Sequence, residues 1–242
     1  MDFRTAPPYA PGWITRGYLV RLVGTSRRLP IYLVVDTSAS MHGAPIEAVT
    51  TGLKNFEAAL RLDPHALECA AISILTFASK AHELTSLVEA GSFAPPVLTA
   101  EGGTALGAAL ELLADALERD TRPRTPEYVG DWRPLVFLMT DGQPTDDWQP
   151  GLARYRAAAA RWKSTLIAIG CGPGVAIDTL SELTKTVMLM PDMTPDTIAS
   201  LFDWISQSVR TASRAVSQHA AQGVQSTFAD LPPPPQGIRV VL

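Results

Sequence analysis

"LPIYLVVDTSASMHGAPIEAV", residues 29–49, decides the fold. Ile31 to Val35 run without a polar break into Asp36, the pattern of a strand covered on both faces. Two hydroxyls, Ser38 and Ser40, follow at two-residue spacing. Pro45 then suits the first turn of a helix, and Ile46, Val49, Leu53, Phe56 and Leu60 recur at three- and four-residue intervals, so one stripe faces a core. A buried strand that ends in short oxygen side chains and leads into an amphipathic helix is half of a βαβ unit.

The same alternation continues along the chain. "LECAAISILTFAS" (67–79) reads as a second buried strand, reached after "DPH" (63–65) ends the helix, and "KAHELTSLV" (80–88) is placed to pair back on it as a hairpin. "EGGT" precedes a helix carrying Leu106, Leu110, Leu113 and Leu117. "PLVFLMT" is a strand ending at Asp141, followed by the helical "GLARYRAAAARW", the strand "STLIAIGCG", the short helix "DTLSELT" and the short strand "TVMLM". Thr194, Pro195 and Asp196 form a helix start. Behind it lies an inner stripe of Ile198, Leu201, Phe202, Ile205 and Val209. Strands alternating with helices predict an α/β sheet with helices on both faces. In such sheets ligands bind at the carboxyl ends of strands, where Asp36 and Asp141 both fall.

Three segments are expected. Residues 1–28 form an N-terminal extension in which "YLVRLVG" resembles an edge strand, 29–212 form the main domain, and 213–242 form a tail. The tail is first Ala-, Ser- and Gln-rich, read as a frayed helix end and linker, and finishes in "LPPPPQGIRVVL". That ending suits a polyproline spacer carrying a strand-forming peptide, able to dock on its own domain edge or on a partner sheet.

Composition narrows the function. At 242 residues the chain can bury a sizeable core without disulfides. The content of 46% hydrophobic and 18% charged residues is that of a globular protein, and a net charge of −4 lacks the basic excess of a nucleic-acid binder. Cys69 and Cys171, far apart in apolar runs, read as buried thiols of a reducing compartment. "MDFRTAPPYAPGW" has no signal-peptide apolar region, and no apolar run reaches the ~20 residues of a membrane span, so the expectation is a cytoplasmic protein.

No GxSxG elbow and no GxxxxGK[ST] loop occurs, and the histidines (42, 65, 82, 219) have no ligand spacing. "GCGPGVA" fails the GxGxxG pattern at Val175 and reads as a turn leaving a strand. What remains is a set of short oxygen side chains: Asp36, Ser38, Ser40, Thr104 and Asp141. These are hard ligands, suited to Mg²⁺, Mn²⁺ or Ca²⁺ rather than zinc. Each piece alone also serves as a turn or a helix cap. Together, in this order and each at an element edge, they point to a metal site.

"DTSAS", "GGT" and "TDG" are similar to the DxSxS, Thr and TDG-type Asp of a von Willebrand factor type A (vWA) domain with a metal-ion-dependent adhesion site (MIDAS). The resemblance covers about residues 30–210. The stretches "RLPIYLVVDTSASM", "GGTALGAALELL" and "DWRPLVFLMTDGQPTDDW" further resemble the TerY-like branch associated with tellurium resistance. The family implies a Rossmann-like, doubly wound, mostly parallel sheet with one antiparallel edge strand. It also implies Ser38 and Ser40 hydroxyls on the metal, Thr104 directly or through water, Asp36 and Asp141 largely through water, and a partner's carboxylate as the last ligand. One departure is Ala39, where many members carry Gly; it strains the loop only if that position uses a positive φ.

Other residues near the motifs are open to two readings. Asp146 and Asp147 either add charge near the metal or serve a capped turn, the second being favoured. His42 and Glu101 either contact a partner or are simply exposed. Trp132, Trp148, Tyr155 and Trp162 are expected at this end as interface anchors or as packing under loops.

The function expected from the resemblance is a non-catalytic, cation-dependent protein-interaction module, with Mg²⁺ offering an open position to a partner's acidic residue. The TerY likeness implies kinase-like and phosphatase-like partners in a tellurite or stress response. The alternative is a metal-dependent hydrolase or phosphatase at the same site, for which the sequence offers no Lys or Arg beside the carboxylates.

Overall fold

A computed structural model describes residues 27–220 and 231–241. The proposed strand in "YLVRLVG" lies outside these residues. The elements are β1 (Leu29–Asp36), α1 (Ala44–Arg61), α2 (Pro64–Cys69), β2 (Ala70–Phe77), β3 (Ala81–Glu89), α3 (Leu106–Asp120), β4 (Leu135–Thr140), α4 (Gln149–Trp162), β5 (Thr165–Cys171), α5 (Ile177–Leu183), β6 (Val187–Met190), α6 (Pro195–Ala220) and β7 (Arg239–Val241). Short 3₁₀ turns follow β1 at Ala39–Met41 and β3 at Ala90–Ser92.

These strands form one sheet in the order β3-β2-β1-β4-β5-β6-β7. β1, β2, β4, β5 and β6 are mutually parallel, and β3 pairs antiparallel with β2 as the hairpin reading expects. The opposite edge is antiparallel too, because β7 lies against β6 with Val187 opposite Val241. β3 is the expected antiparallel edge strand, and β7 adds a second at the other edge. The C-terminal peptide supplies the second by docking on its own sheet, where Ile238 is buried and the Trp204 indole donates to the Pro232 carbonyl at 3.0 Å.

Side chains alternate across each central strand and build two cores. Leu33 and Val35 face α1, α2 and α6, whereas Tyr32 and Val34 face α3, α4 and α5. The helix stripes read from the sequence are the buried ones: Ile46, Val49, Leu53, Phe56 and Leu60 in α1, and Leu106, Leu110, Leu113 and Leu117 in α3. Each such side chain contributes about 1.5–3 kcal/mol when fully buried. Close helix approach needs glycine at two contacts. A Cβ on Gly52 would stand 2.3 Å from the Phe202 ring, and one on Gly151 would stand 2.4 Å from the Gly107 carbonyl oxygen.

Two boundaries differ from the sequence reading. Asp63 does not merely end α1; its carboxylate accepts from the backbone N–H groups of His65 and Ala66 and caps α2, so β2 starts at Ala70 instead of 67. α6 continues past 212 to Ala220, with Ser213 and Val216 buried and Arg214 bound to Asp63 at 2.7 Å. Residues 213–220 therefore extend the helix rather than fray from it.

Sheet order also fixes the place for a ligand. From β1 the chain crosses to β2 on one side and later returns to β4 on the other, so β1 and β4 flank the topological switch point.

Candidate metal centre

β1 delivers Asp36 at its last position, fully buried, and β4 ends at Thr140 immediately before Asp141. The two strands are in register through Val35 and Met139, which sets Asp36 beside Thr140. The Thr140 hydroxyl donates to Asp36 Oδ2 at 2.5 Å, and the Ser38 backbone N–H donates to Oδ1 at 2.8 Å. Both carboxylate oxygens are thus oriented from within the protein. Burial pushes the Asp36 carboxyl above its ordinary range and the Asp141 charge adds to this; the hydrogen bonds from Thr140 and Ser38 offset part of it.

Beyond Asp36 the chain turns outward. Ser38 is buried and Ser40 exposed, with their Oγ atoms 3.0 Å apart, and Ser40 Oγ donates to Asp141 Oδ1 at 2.8 Å. The loop is held to the segment before α3 by two backbone bonds, Ala39 N–H to the Gly102 carbonyl (3.0 Å) and Glu101 N–H to the Thr37 carbonyl (2.9 Å). Among the described residues only Lys163 has a positive φ outside glycine, so Ala39 sits in the 3₁₀ turn without strain.

Thr104 is buried just before α3. Its position is fixed by a reciprocal clasp with Thr145: Thr104 N–H donates to Thr145 Oγ1 and Thr145 N–H to the Thr104 carbonyl, both at 2.9 Å. A Cβ on Gly142, the residue after Asp141, would lie 3.3 Å from Thr104 Oγ1, which puts this hydroxyl against the Asp141 turn. The five residues singled out from the sequence therefore converge on one end of the sheet.

Oxygen spacing tests whether the set fits a divalent cation. An octahedral Mg²⁺ with bonds of about 2.05 Å puts neighbouring ligand oxygens about 2.9 Å apart. The 3.0 Å and 2.8 Å steps from Ser38 to Ser40 to Asp141 are hydrogen bonds, and their length lets a cation replace the shared protons without moving the oxygens. The donors are hydroxyl and carboxylate oxygens. The Cys171 thiol is buried, and burial and then the Asp141 and Asp36 charges push its pKa up, which keeps it protonated. Among the described residues neither Asp36 nor Asp141 forms an ion pair, so their negative charge has no cationic side chain to balance it. The residues fit a hard divalent cation.

The flanking residues divide clearly. Asp146 caps α3, its carboxylate accepting from Gly107 N–H and Ala108 N–H at 3.1 Å, and Asp147 accepts from Gln149 N–H at the start of α4. The capping reading holds for both. His42 and Glu101 are exposed. Of the aromatic residues, only Trp148, next to the α4 start, is at this end. Trp132 hydrogen-bonds to Arg28 before β1 and stacks under Arg27 at 3.5 Å, while Trp162 closes α4, so both lie at the opposite end; Tyr155 is buried within α4. Sequence reasoning missed Thr140 and Thr145. Thr140 carried a signal, as the last strand residue beside Asp141; Thr145, one polar residue in a polar loop, carried none.

The vWA sequence profile matches residues 31–194 of this chain. The chain belongs to the von Willebrand factor type A domain family. Comparison with curated proteins gives no match. Among solved structures, the vWA domain is similar to proximal thread matrix protein 1 from the mussel byssus "with zinc occupied MIDAS motif" (15% identity, TM-score 0.55, covering 76% of this chain and 48% of that one). It is also similar to a von Willebrand factor type A protein from Catenulispora acidiphila (18%, 0.56, 77% and 44%). The pilus adhesin SpaC from Lactobacillus rhamnosus GG is a third (16%, 0.58, 77% and 31%). The vWA chain spans less than half the length of each, and at these identities the likeness is one of fold.

Proposed function

We propose that this protein is a non-catalytic, cation-dependent protein-interaction module whose MIDAS is formed by Asp36, Ser38, Ser40, Thr104 and Asp141. The observation that carries the reading is the hydrogen-bonded run of oxygens Ser38–Ser40–Asp141 beside a buried carboxylate that, among the described residues, forms no ion pair. When bound, Mg²⁺ supplies a positive centre with an open position for a partner's Asp or Glu side chain. Ser38, Ser40 and Asp141 hold the inner face of the site, Asp36 orients the Ser38 backbone, and Thr104 borders it from the α3 side. A neighbouring fold with a zinc-occupied MIDAS supports a divalent metal in general, and the all-oxygen donor set favours Mg²⁺ or Mn²⁺.

The TerY-like stretches extend the reading to a cytoplasmic tellurite-resistance or stress-response system with kinase-like and phosphatase-like partners. Compatible with this, no helix among the described residues is long and apolar enough to cross a membrane.

Calorimetry with Mg²⁺ and Mn²⁺ on the wild type and Ser38→Ala tests the site: saturable heat in the first, lost in the second, is expected. Equal heats would remove the metal claim. Phosphomonoester turnover that needs Mg²⁺ and vanishes in Asp36→Ala would instead establish the hydrolase alternative.

A further inference from the structure

Thr104 enters the oxygen set on a segment, residues 101–105, that belongs to no strand and no helix. Hydrogen bonds hold this segment from three sides. Toward the loop after β1, Glu101 N–H donates to the Thr37 carbonyl and the Gly102 carbonyl accepts from Ala39 N–H. Toward the β2–β3 turn, Gly103 N–H donates to Ser79 Oγ at 2.9 Å and Ala105 N–H to the Ala78 carbonyl at 2.7 Å. Toward the β4–α4 loop, which carries Asp141, residue 104 is held by the Thr145 clasp, with both bonds at 2.9 Å. A Cβ on Gly103 would stand 2.9 Å from Thr145 Oγ1, so glycine at that position leaves the hydroxyl its place. One loop thus offers an oxygen to the site at Asp141 and, four residues on, the acceptor that fixes Thr104. Thr145 is itself exposed and fills no core.

We propose that Thr145 is a positioning residue that locks Thr104 to the Asp141 loop and thereby makes the site select Mg²⁺ over Ca²⁺. The inference rests on the metal-dependent reading of the site. Mg²⁺ requires a near-ideal octahedron with bonds of about 2.0–2.1 Å, whereas Ca²⁺ takes more oxygens at about 2.3–2.6 Å in flexible cages. A cage opens for the larger ion only if the loops bearing its oxygens can separate. Backbone bonds join the Ser38–Ser40 loop to residues 101–105, and the clasp joins those residues to the Asp141 loop. Removing the Thr145 acceptor loosens Thr104 from Asp141, while Asp36, Ser38 and Ser40 keep their own bonds. Asp146, from the same loop, still caps the first turn of α3, so the helix stays in place. The loosened cage loses the geometry that the smaller ion demands and keeps what the larger one tolerates.

The test compares the full-length wild type with Thr145→Val, Thr145→Ser and Asp63→Ala, the last a control destabilised away from the site. Calorimetry gives the Mg²⁺ and Ca²⁺ affinities, and amide hydrogen exchange at Thr104 is followed in the metal-free protein. In Thr145→Val, Mg²⁺ should bind about tenfold more weakly and Ca²⁺ should change by less than about threefold. Exchange at Thr104 should quicken by about tenfold. Thr145→Ser, which keeps the acceptor, and Asp63→Ala should match the wild type in the Mg²⁺-to-Ca²⁺ ratio and in exchange at Thr104. Gly103→Ala, whose methyl displaces the hydroxyl, gives the Thr145→Val result if that variant fails to fold. A wild type that binds Ca²⁺ as tightly as Mg²⁺, a ratio unchanged in Thr145→Val and Gly103→Ala, or an equal fall in Asp63→Ala overturns the proposal while leaving the metal reading intact. No saturable heat with either ion in the wild type overturns the two together.

Discussion

Thr140 donates its hydroxyl to Asp36 Oδ2 over 2.5 Å, joining the ends of β4 and β1 with both residues buried. This contact fixes the carboxylate that in turn accepts from the Ser38 backbone. Thr140→Val keeps the shape and removes the donor, together with the long contact (3.4 Å) that the hydroxyl accepts from the Gly142 N–H. Groups that orient metal-site carboxylates typically matter by 10–100-fold in affinity. Thr140→Val should weaken Mg²⁺ binding by at least about tenfold in calorimetry, with an unchanged far-ultraviolet spectrum. Wild-type affinity in this variant would mean that Ser38 alone orients Asp36.

Asp63 ties α2 to the far half of α6. Burial alone would raise its carboxyl; the Ala66 backbone N–H and the guanidinium groups of Arg214 and Arg210 outweigh burial and hold it below the usual carboxylate range. A depressed pKa in the folded state gives stability that is complete above the unfolded value and drains as pH falls through the folded one. Asp63→Ala should therefore cost about 1–3 kcal/mol at neutral pH. Its denaturation curve should converge on the wild type's in acid. A constant gap across pH 2–7 would contradict this assignment.

The α3–α4 contact has no room at Gly151, where a Cβ would meet backbone rather than a movable side chain. Gly151→Ala should lose about 1–3 kcal/mol in urea denaturation, despite alanine's better helix propensity. A stabilised variant would show that the two helices can separate freely.

Removing the chain after Gln225 takes away β7, the buried Ile238 and the Pro232 carbonyl that accepts from Trp204. The loss should be at least about 2 kcal/mol, with the Trp204 fluorescence shifted and the β6 edge open to association. An unaltered melting temperature and spectrum would refute a structural role for the tail.

Much of this was legible from residue periodicity. Ile31–Val35 and "PLVFLMT" are apolar without interruption because both faces of β1 and β4 are covered, and their terminal Asp residues marked the switch point. Family likeness turned separate oxygen side chains into one set, since residues 36, 104 and 141 share no local pattern. The misreadings have local causes. The inner face of α6 beyond 209 is Ser213 and Val216, small and partly polar, so its hydrophobic period fades while the helix persists. "DP" at 63–64 reads as a stop, though an N-capping Asp before Pro at the first turn is equally a start. β7 is expected as a strand-forming peptide, but with three residues and a distant edge to pair with, the sequence leaves its own sheet and a partner's equally open. Thr145 acts through a turn geometry that no spacing rule encodes.

The pairing of Val241 with Val187 has a consequence for how the molecule presents itself. Leu29 opens β1 at the amino end of the parallel strands, and the reversed β7 brings Val241 back to that same end, level with the start of β6. Leu29 and Val241 therefore lie on one side of the described domain, and Ser40 and Asp141 look out from the other, above the buried Asp36. A tether or label joined at Leu29 or Val241 would thus start from the end of the sheet opposite the oxygen-lined face.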